Sequence, residues 1–318
     1  MLEQILQQLA NGLILGSVYA LLALGYTMVY GIIKLINFAH GDIYMIGAFI
    51  GYYFINSLKL NFFSSFISAM FGPVMGPHLV KFSEFNFLIS LIAAMIGAAI
   101  LGVIIEFLAY RPLRNSTRIA ALITAIGVSF LLEYGMVFFV GANTRSFPQV
   151  IKTVRYTIGP VSISNIQLMI LGISILLMVG LQFIVQKTKM GKAMRAVSVD
   201  SDAAQLMGIN VNRTISFTFA LGSALAGAAG VLIALYYNSL EPLMGMTPGI
   251  KSFVAAVLGG IGIIPGAALG GFVIGLLETF ATAVGLSDFR DAIVYAILII
   301  ILLVRPAGIL GKNVKEKV

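Results

Sequence analysis

Apolar residues in this chain fall in long, almost unbroken blocks separated by short polar intervals. Blocks of about 20 apolar residues read as helices that cross a bilayer. The first, Leu9–Tyr30, has 22 residues and would make a helix of about 33 Å, enough for the hydrocarbon core. Further crossings are expected at Ile43–Leu58, Phe85–Tyr110, Ile119–Gly141, Ile166–Gln186, Thr214–Tyr237 and Ala292–Val304. Two stretches are irregular. Leu60–Leu79 is broken by FGPVMGP at Phe71–Pro77 and is expected to be interfacial or re-entrant. Ser252–Gly285 runs for 34 residues and is interrupted by GGIGIIPGAALGG at Gly259–Gly271. It is too long for one span and too broken for a straight helix, so two segments or a re-entrant pair are expected. The fold class is all-α, a polytopic membrane bundle of eight or nine crossings forming one transmembrane domain over residues 1–318.

Composition supports this class and adds an orientation. Apolar residues make up 59% of the 318 positions and charged residues 10%, against about 25% charged in soluble domains. Mean hydropathy is +1.02. The net charge of +8 does not point to nucleic acid, because the basic residues lie in short loops between spans, where orientation and acidic lipid headgroups account for them. Lys34, Arg111–Arg118, Lys187–Arg213 and Arg305–Lys317 hold most of the 20 Lys and Arg, which puts these segments and the C-terminus in the cytoplasm and the N-terminus outside. Met1–Gln8 has no Lys or Arg, and the apolar run after it is too long for a cleavable signal. The 34 glycines include G-x-x-x-G at Gly12/Gly16, Gly266/Gly270 and Gly271/Gly275, expected to be packing seams between helices.

Polar residues inside the apolar blocks are the candidates for a path. KLINFAHGD, Lys34–Asp42, breaks helix continuity between the first two crossings. Asn37, Phe38, Ala39, His40 and Gly41 would suit a discontinuous helix whose free backbone groups line a polar route. A loop in which Asn37 and Asp42 cap helix ends accounts for the same residues. Glu133 sits well inside Ile119–Gly141, where an unpaired carboxylate costs a few kcal/mol. It either serves the path or faces the bundle interior, bonded to helix backbone or to Tyr134. Glu278 is a further intramembrane carboxylate, and an ion-coupled carrier would use Glu133 or Glu278 as its ion site.

The longest polar interval is Lys187–Arg213, with five basic residues against Asp200 and Asp202. Its second half reads as a short helix that Asp200 or Ser201 caps and Gly208 stops. Ala203, Leu206 and Met207 fall at i, i+3 and i+4 and make a small apolar face. A bilayer protein gains nothing by showing that face to water, so it is expected to dock in a groove on a soluble partner. Enzyme chemistry is hard to find. Gly191-Lys192 and Gly311-Lys312 lack the other residues of a phosphate loop, no H-E-x-x-H or G-x-S-x-G occurs, and two histidines with no cysteine leave little for a metal.

INFAHGDIYMIGA (Ile36–Ala48), YRPLR (Tyr110–Arg114), GKAMRAVSVDSDAAQLMGIN (Gly191–Asn210) and LGGIGIIPGAALGG (Leu258–Gly271) resemble the H-type (LivH) membrane permeases of branched-chain amino acid ABC importers. The likeness runs from the first span to RPAGILG at Arg305–Gly311. Asp202-Ala203-Ala204-x3-Gly208 is similar to the E-A-A-x3-G coupling motif of importer permeases, with Asp for Glu. The family usually shows Glu-Arg where this chain has Glu106-Phe107. The resemblance implies a subunit of the bacterial inner membrane that is not itself an enzyme. Its partners would be a second homologous permease, two cytoplasmic ATPase subunits that bind the ATP and Mg, a periplasmic binding protein and membrane lipid. It further implies that Ala203, Ala204, Leu206 and Met207 enter an ATPase groove, that Gly208 turns the chain back, and that Gly191, Arg195 and Asp202 belong to the same coupling segment.

Overall fold

The computed structural model describes residues 2–57, 82–114 and 116–311, so Leu60–Leu79 and the last lysines lie outside the described residues. Helix α1 (Leu2–Ile33) leads to α2 (His40–Ser57). Helix α3 (Phe82–Ile105) runs straight into a π-helical turn at Glu106–Tyr110, and α4 covers Arg118–Val140. After strand β1 (Arg145–Ser146), β2 (Arg155–Ile158) and β3 (Val161–Ser164) pair as an antiparallel hairpin turned at Gly159-Pro160. Helix α5 (Asn165–Lys187) is followed by the short α6 (Lys189–Val199) and α7 (Ser201–Leu206). Helix α8 (Val211–Tyr237) ends at β4 (Ser239–Leu240), which pairs with β1. The chain closes with α9 (Met246–Gly259), α10 (Ile264–Ala283) and α11 (Arg290–Val304).

Six of these helices, α1, α3, α4, α5, α8 and α10, are long and apolar enough to cross a membrane. Helices α2, α9 and α11 are shorter, with 18, 14 and 15 residues. The long irregular stretch is indeed two helices, and its break is narrower than the glycine-rich run suggests. Only Gly260–Ile263 leaves the helix, with φ +106° at Gly260 and +91° at Gly262, values that glycine alone takes at little cost. The polar interval Ala142–Asn165 contains the hairpin.

Burial sorts the helices into a centre and a rim. Over their most apolar 18 residues α1 and α8 are almost wholly buried, whereas α4 and α5 turn most of that stretch outward. Small residues make the central contacts possible, because helices in lipid gain from close packing rather than from leaving water. All three G-x-x-x-G pairs are seams. A Cβ on Gly16 would stand 2.8 Å from Phe272 Cα, and one on Gly12 would stand 2.9 Å from Leu276 Cα. Gly271 and Gly275 face Ala20 and Gly16 in return, while Gly266 and Gly270 meet Gly259 and Ala255 of α9. On the other side of the centre, a Cβ on Gly227 of α8 would lie 2.8 Å from the Ala94 carbonyl of α3. Gly16→Leu should therefore force α10 off α1, at a cost of about 1–3 kcal/mol for overpacking. The expected readout is a lower melting temperature of the purified protein; an unchanged melt would show that the seam can open freely.

The loop end that carries Lys34, Arg111 and the Lys187–Arg213 segment also gathers the break between α9 and α10. Gly262 lies against Gly31, and the chain after α11 folds back there. Ile309 N donates to Leu258 O at 2.8 Å and Leu310 N to Gly259 O at 3.2 Å, satisfying carbonyls at the end of α9 that have no helical partner.

Candidate coupling and translocation sites

The segment after α5 is more ordered than its charge suggests. Thr188 accepts from Gly191 N at 3.0 Å and starts α6, whose Gly191, Met194 and Val197 face inward. That helix is missing from the sequence reading, although the Thr cap and the spacing of those three residues mark it. Gly191 lies against the carbonyls of Ile184 and Val185, where no side chain fits. Arg195 donates to the Val185 carbonyl, so it closes the end of α5 and is not simply a surface charge.

Asp200 Oδ1 then accepts from the amides of Asp202 and Ala203, both at 2.9 Å, and nucleates α7. The turn ends at Gly208 with φ +83°, and Asn210 caps α8 through Arg213 N at 3.0 Å. Ala203 is exposed, Leu206 is 88% exposed and Met207 82%, which leaves an apolar face without an intramolecular partner. One expectation needs correction. Ala204 is 4% exposed and packs inward, so Ala203, Leu206 and Met207 alone make the outward face.

Beside this segment lies a charge cluster around Glu106, whose side chain is fully buried in the π-helical turn. Arg111 pairs with it at 3.2 Å, Arg114 pairs with it as well, and Ser216 of α8 donates to it at 2.7 Å. Arg114 also reaches Asn212 Oδ1 at 2.5 Å, and the Arg111 guanidinium stacks 4.9 Å from the Phe107 ring. Phe107 thus supports Arg111 where the family usually has Arg. The cluster ties α3 to the start of α8 and borders a cavity of about 820 Å³, lined also by Lys34, Asp202 and Gln205. Sequence reasoning used Arg111 and Arg114 only as an orientation signal. A carboxylate five and eight residues before two arginines was the available clue.

The break between α1 and α2 is real. Lys34 ends α1 at φ +55°, and α2 begins at His40. Neither expected side-chain cap forms there. Asn37 Oδ1 accepts from Tyr110 at 2.9 Å, and Asp42 Oδ2 accepts from Ser129 of α4 at 2.5 Å. Asn37, Ala39 and His40 are buried in this structure and line none of its described cavities. The His40 ring rests against Gly25 and edge-on to Tyr26 at 4.7 Å, and neither ring nitrogen has a partner among the described residues. Phe38 and Gly41 do line a cavity of about 160 Å³, together with Asp42, Ser129, Glu133 and Phe253. Glu133 is 6% exposed and lines the same cavity as Asp42, while Tyr134 faces outward. Asp42 was missed as a partner because its place next to Gly41 reads as a helix cap.

Glu278 has a different environment. Lys251 Nζ is 2.8 Å from Glu278 Oε1 and 2.6 Å from Asp291 Oδ1, and Tyr19 donates to Glu278 Oε2 at 2.7 Å. Charges on α9, α10 and α11 and a hydroxyl on α1 thus form one network, buried at Lys251 and Glu278 and partly exposed at Asp291. Among the described residues no group of three His, Cys, Asp or Glu side chains could hold a metal ion.

A family model described as branched-chain amino acid transport system / permease component matches residues 8–302. The chain is 41% identical to the high-affinity branched-chain amino acid transport system permease protein LivH of Escherichia coli (strain K12), over 98% of this chain and 97% of that one. It is also 41% identical to the permease protein BraD of Pseudomonas aeruginosa, over 98% of each. No solved structure matches the chain. With the family model covering nearly the whole length and relatives this similar over all of it, the chain belongs to the permease component family of branched-chain amino acid transport systems.

Proposed function

We propose that this chain is the membrane-spanning permease subunit of an ATP-driven importer of branched-chain or related amino acids in the bacterial inner membrane. It acts without catalytic chemistry of its own and passes motion between its helices and separate ATPase subunits through residues 187–213. The observation that carries this reading is α7. A capped helical turn presents Leu206 and Met207 outward between two long spans, as a helix docking in a partner's groove requires. Gly191, Arg195 and Asp200 fix that turn to the end of α5, so a push on α7 is delivered to packed helices as a near-rigid shift. ATP and Mg belong to the two ATPases, a binding protein delivers cargo from the periplasm, and a second permease covers part of the outward face of α4. The cavity at Asp42 and Glu133, whose rim of Ile126, Phe130, Met246 and Ile250 is exposed, supports that last partner. Carboxylates cannot open onto lipid without large cost.

The ion-coupled alternative loses one of its two candidate residues, since Glu278 is held by Lys251. Leucine uptake separates the readings. Uptake in cells carrying the full system should fall on ATP depletion and persist when the proton gradient alone is collapsed, and the ATPases should copurify with this chain. The opposite pattern would assign the transport to ion coupling.

A further inference from the structure

Four helices leave an unfilled space where α2 begins. The N-terminal end of α2 meets α9 backbone to backbone, for a Cβ on Gly41 would stand 3.0 Å from Gly249 Cα. Beside this contact the cavity of about 160 Å³ remains, roughly ten times the space that one water needs. Its walls are of two kinds. Tyr26, Phe38, Phe130 and Phe253 supply aromatic surface, and Ile126 and Ile250 supply aliphatic surface. Asp42, Ser129 and Glu133 supply oxygens on one side.

The carboxyl pair stands apart from the molecule's other buried acids. Glu106 is matched by two arginines and Glu278 by Lys251. Asp42 has only the Ser129 hydroxyl and its neighbour Glu133. Glu133 is more than nine-tenths buried, lines the cavity, and receives no N–H donor or cation among the described residues. Buried acidic groups in a membrane are kept with a partner, and here the space beside them is the place for one.

We propose that this cavity is where the pore takes the ammonium group of its amino-acid cargo, with Asp42, Glu133 and Ser129 as acceptors and the aromatic and aliphatic walls around the side chain. The inference rests on the reading of the chain as an amino-acid permease. A primary ammonium has three donors, and Asp42, Ser129 and Glu133 each bring oxygen acceptors to the cavity. Aromatic faces favour an organic cation. A metal centre is not built here, for among the described residues no group of three His, Cys, Asp or Glu side chains gathers, and the cavity has only Asp42 and Glu133. A site crossed in transit must also be weak enough to leave, which fits a shallow pocket with no group set for the cargo's carboxylate among its lining residues.

The test uses the full chain in lipid nanodiscs and saturation-transfer NMR with three probes: leucine, its decarboxylated amine isopentylamine, and its desamino acid isocaproate. Leucine and isopentylamine should bind and isocaproate should not. Glu133→Gln removes one charge-assisted bond and should weaken both binders about tenfold or more. Ile250→Trp fills the cavity without touching the carboxyl pair and should abolish binding even if Asp42→Asn fails to fold. Isocaproate binding as well as leucine, full leucine binding by Glu133→Gln, or displacement of leucine by millimolar Na or Mg ions would each overturn the site. ATP-dependent leucine uptake through the wild-type chain is measured separately. Uptake that persists while leucine binding ignores Glu133→Gln would sink the site and leave the importer reading intact.

Discussion

Lys251→Met is expected to cut the yield of folded protein severalfold and to lower the melting temperature of what remains. Lys251 is 2% exposed and bridges Glu278 and Asp291 at 2.8 and 2.6 Å. Without it, Glu278 keeps the Tyr19 hydroxyl and a distant Arg290, 3.7 Å away with half its side chain exposed. Removing one partner of a buried pair costs about 3–5 kcal/mol, because the other charge stays buried. That is a large part of the roughly 5–15 kcal/mol that holds a folded domain. The double variant Lys251→Met, Glu278→Gln should recover most of the loss, since the amide can still accept from Tyr19 and no charge is stranded. Size-exclusion profiles and melting curves of both variants decide the matter. A single variant as stable as the wild type would show that the network is not needed to hold α9 against α10.

Leu206→Asp combined with Met207→Asp is expected to leave the subunit inserted and folded while abolishing ATPase copurification and leucine uptake. Both side chains project from α7 with almost no contact inside the chain, so the change removes little internal packing. In a partner's groove the two carboxylates would be buried without a cation, which costs several kcal/mol and outweighs a typical interface contact. Ala204→Glu should act differently. Its site is inside the loop, so the charge would disrupt the packing of α7 on its neighbours before any partner is met. Wild-type copurification and uptake by the double variant would remove α7 from the coupling role.

Where local chemistry decided the structure, it was legible. The apolar blocks gave the long helices, Asp200 and Gly208 gave the start and stop of α7, and the paired glycines gave the seams of α1 with α10 and α10 with α9. The rest depends on meetings that no local pattern announces. Ser129 reaches Asp42 across 87 positions, and Lys251 looks like a lone polar residue in GIKSF until α10 and α11 close on it. Glu106 and its arginines are near in sequence, yet the π-helical turn that brings them together has no signature in this stretch. Of the path candidates, Phe38, Gly41 and Glu133 line the cavity and Asn37, Ala39 and His40 are buried beside it, a division no local pattern marks. The break at Lys34 was evident, but which side of it faces the cavity is fixed by α4 and α9.

The seam between α1 and α10 also has a consequence for how the molecule is made. Helix α1 leaves the ribosome well before α10, and the Gly271 and Gly275 surface it finally packs against is synthesised more than 200 residues later. Its glycine face must wait in the membrane through the insertion of every helix between. An insertion machine that shelters early helices, or a transient neighbour such as α2, would have to hold α1 until α10 arrives. Closure of this central seam therefore cannot precede the synthesis of α10, however early α1 is inserted.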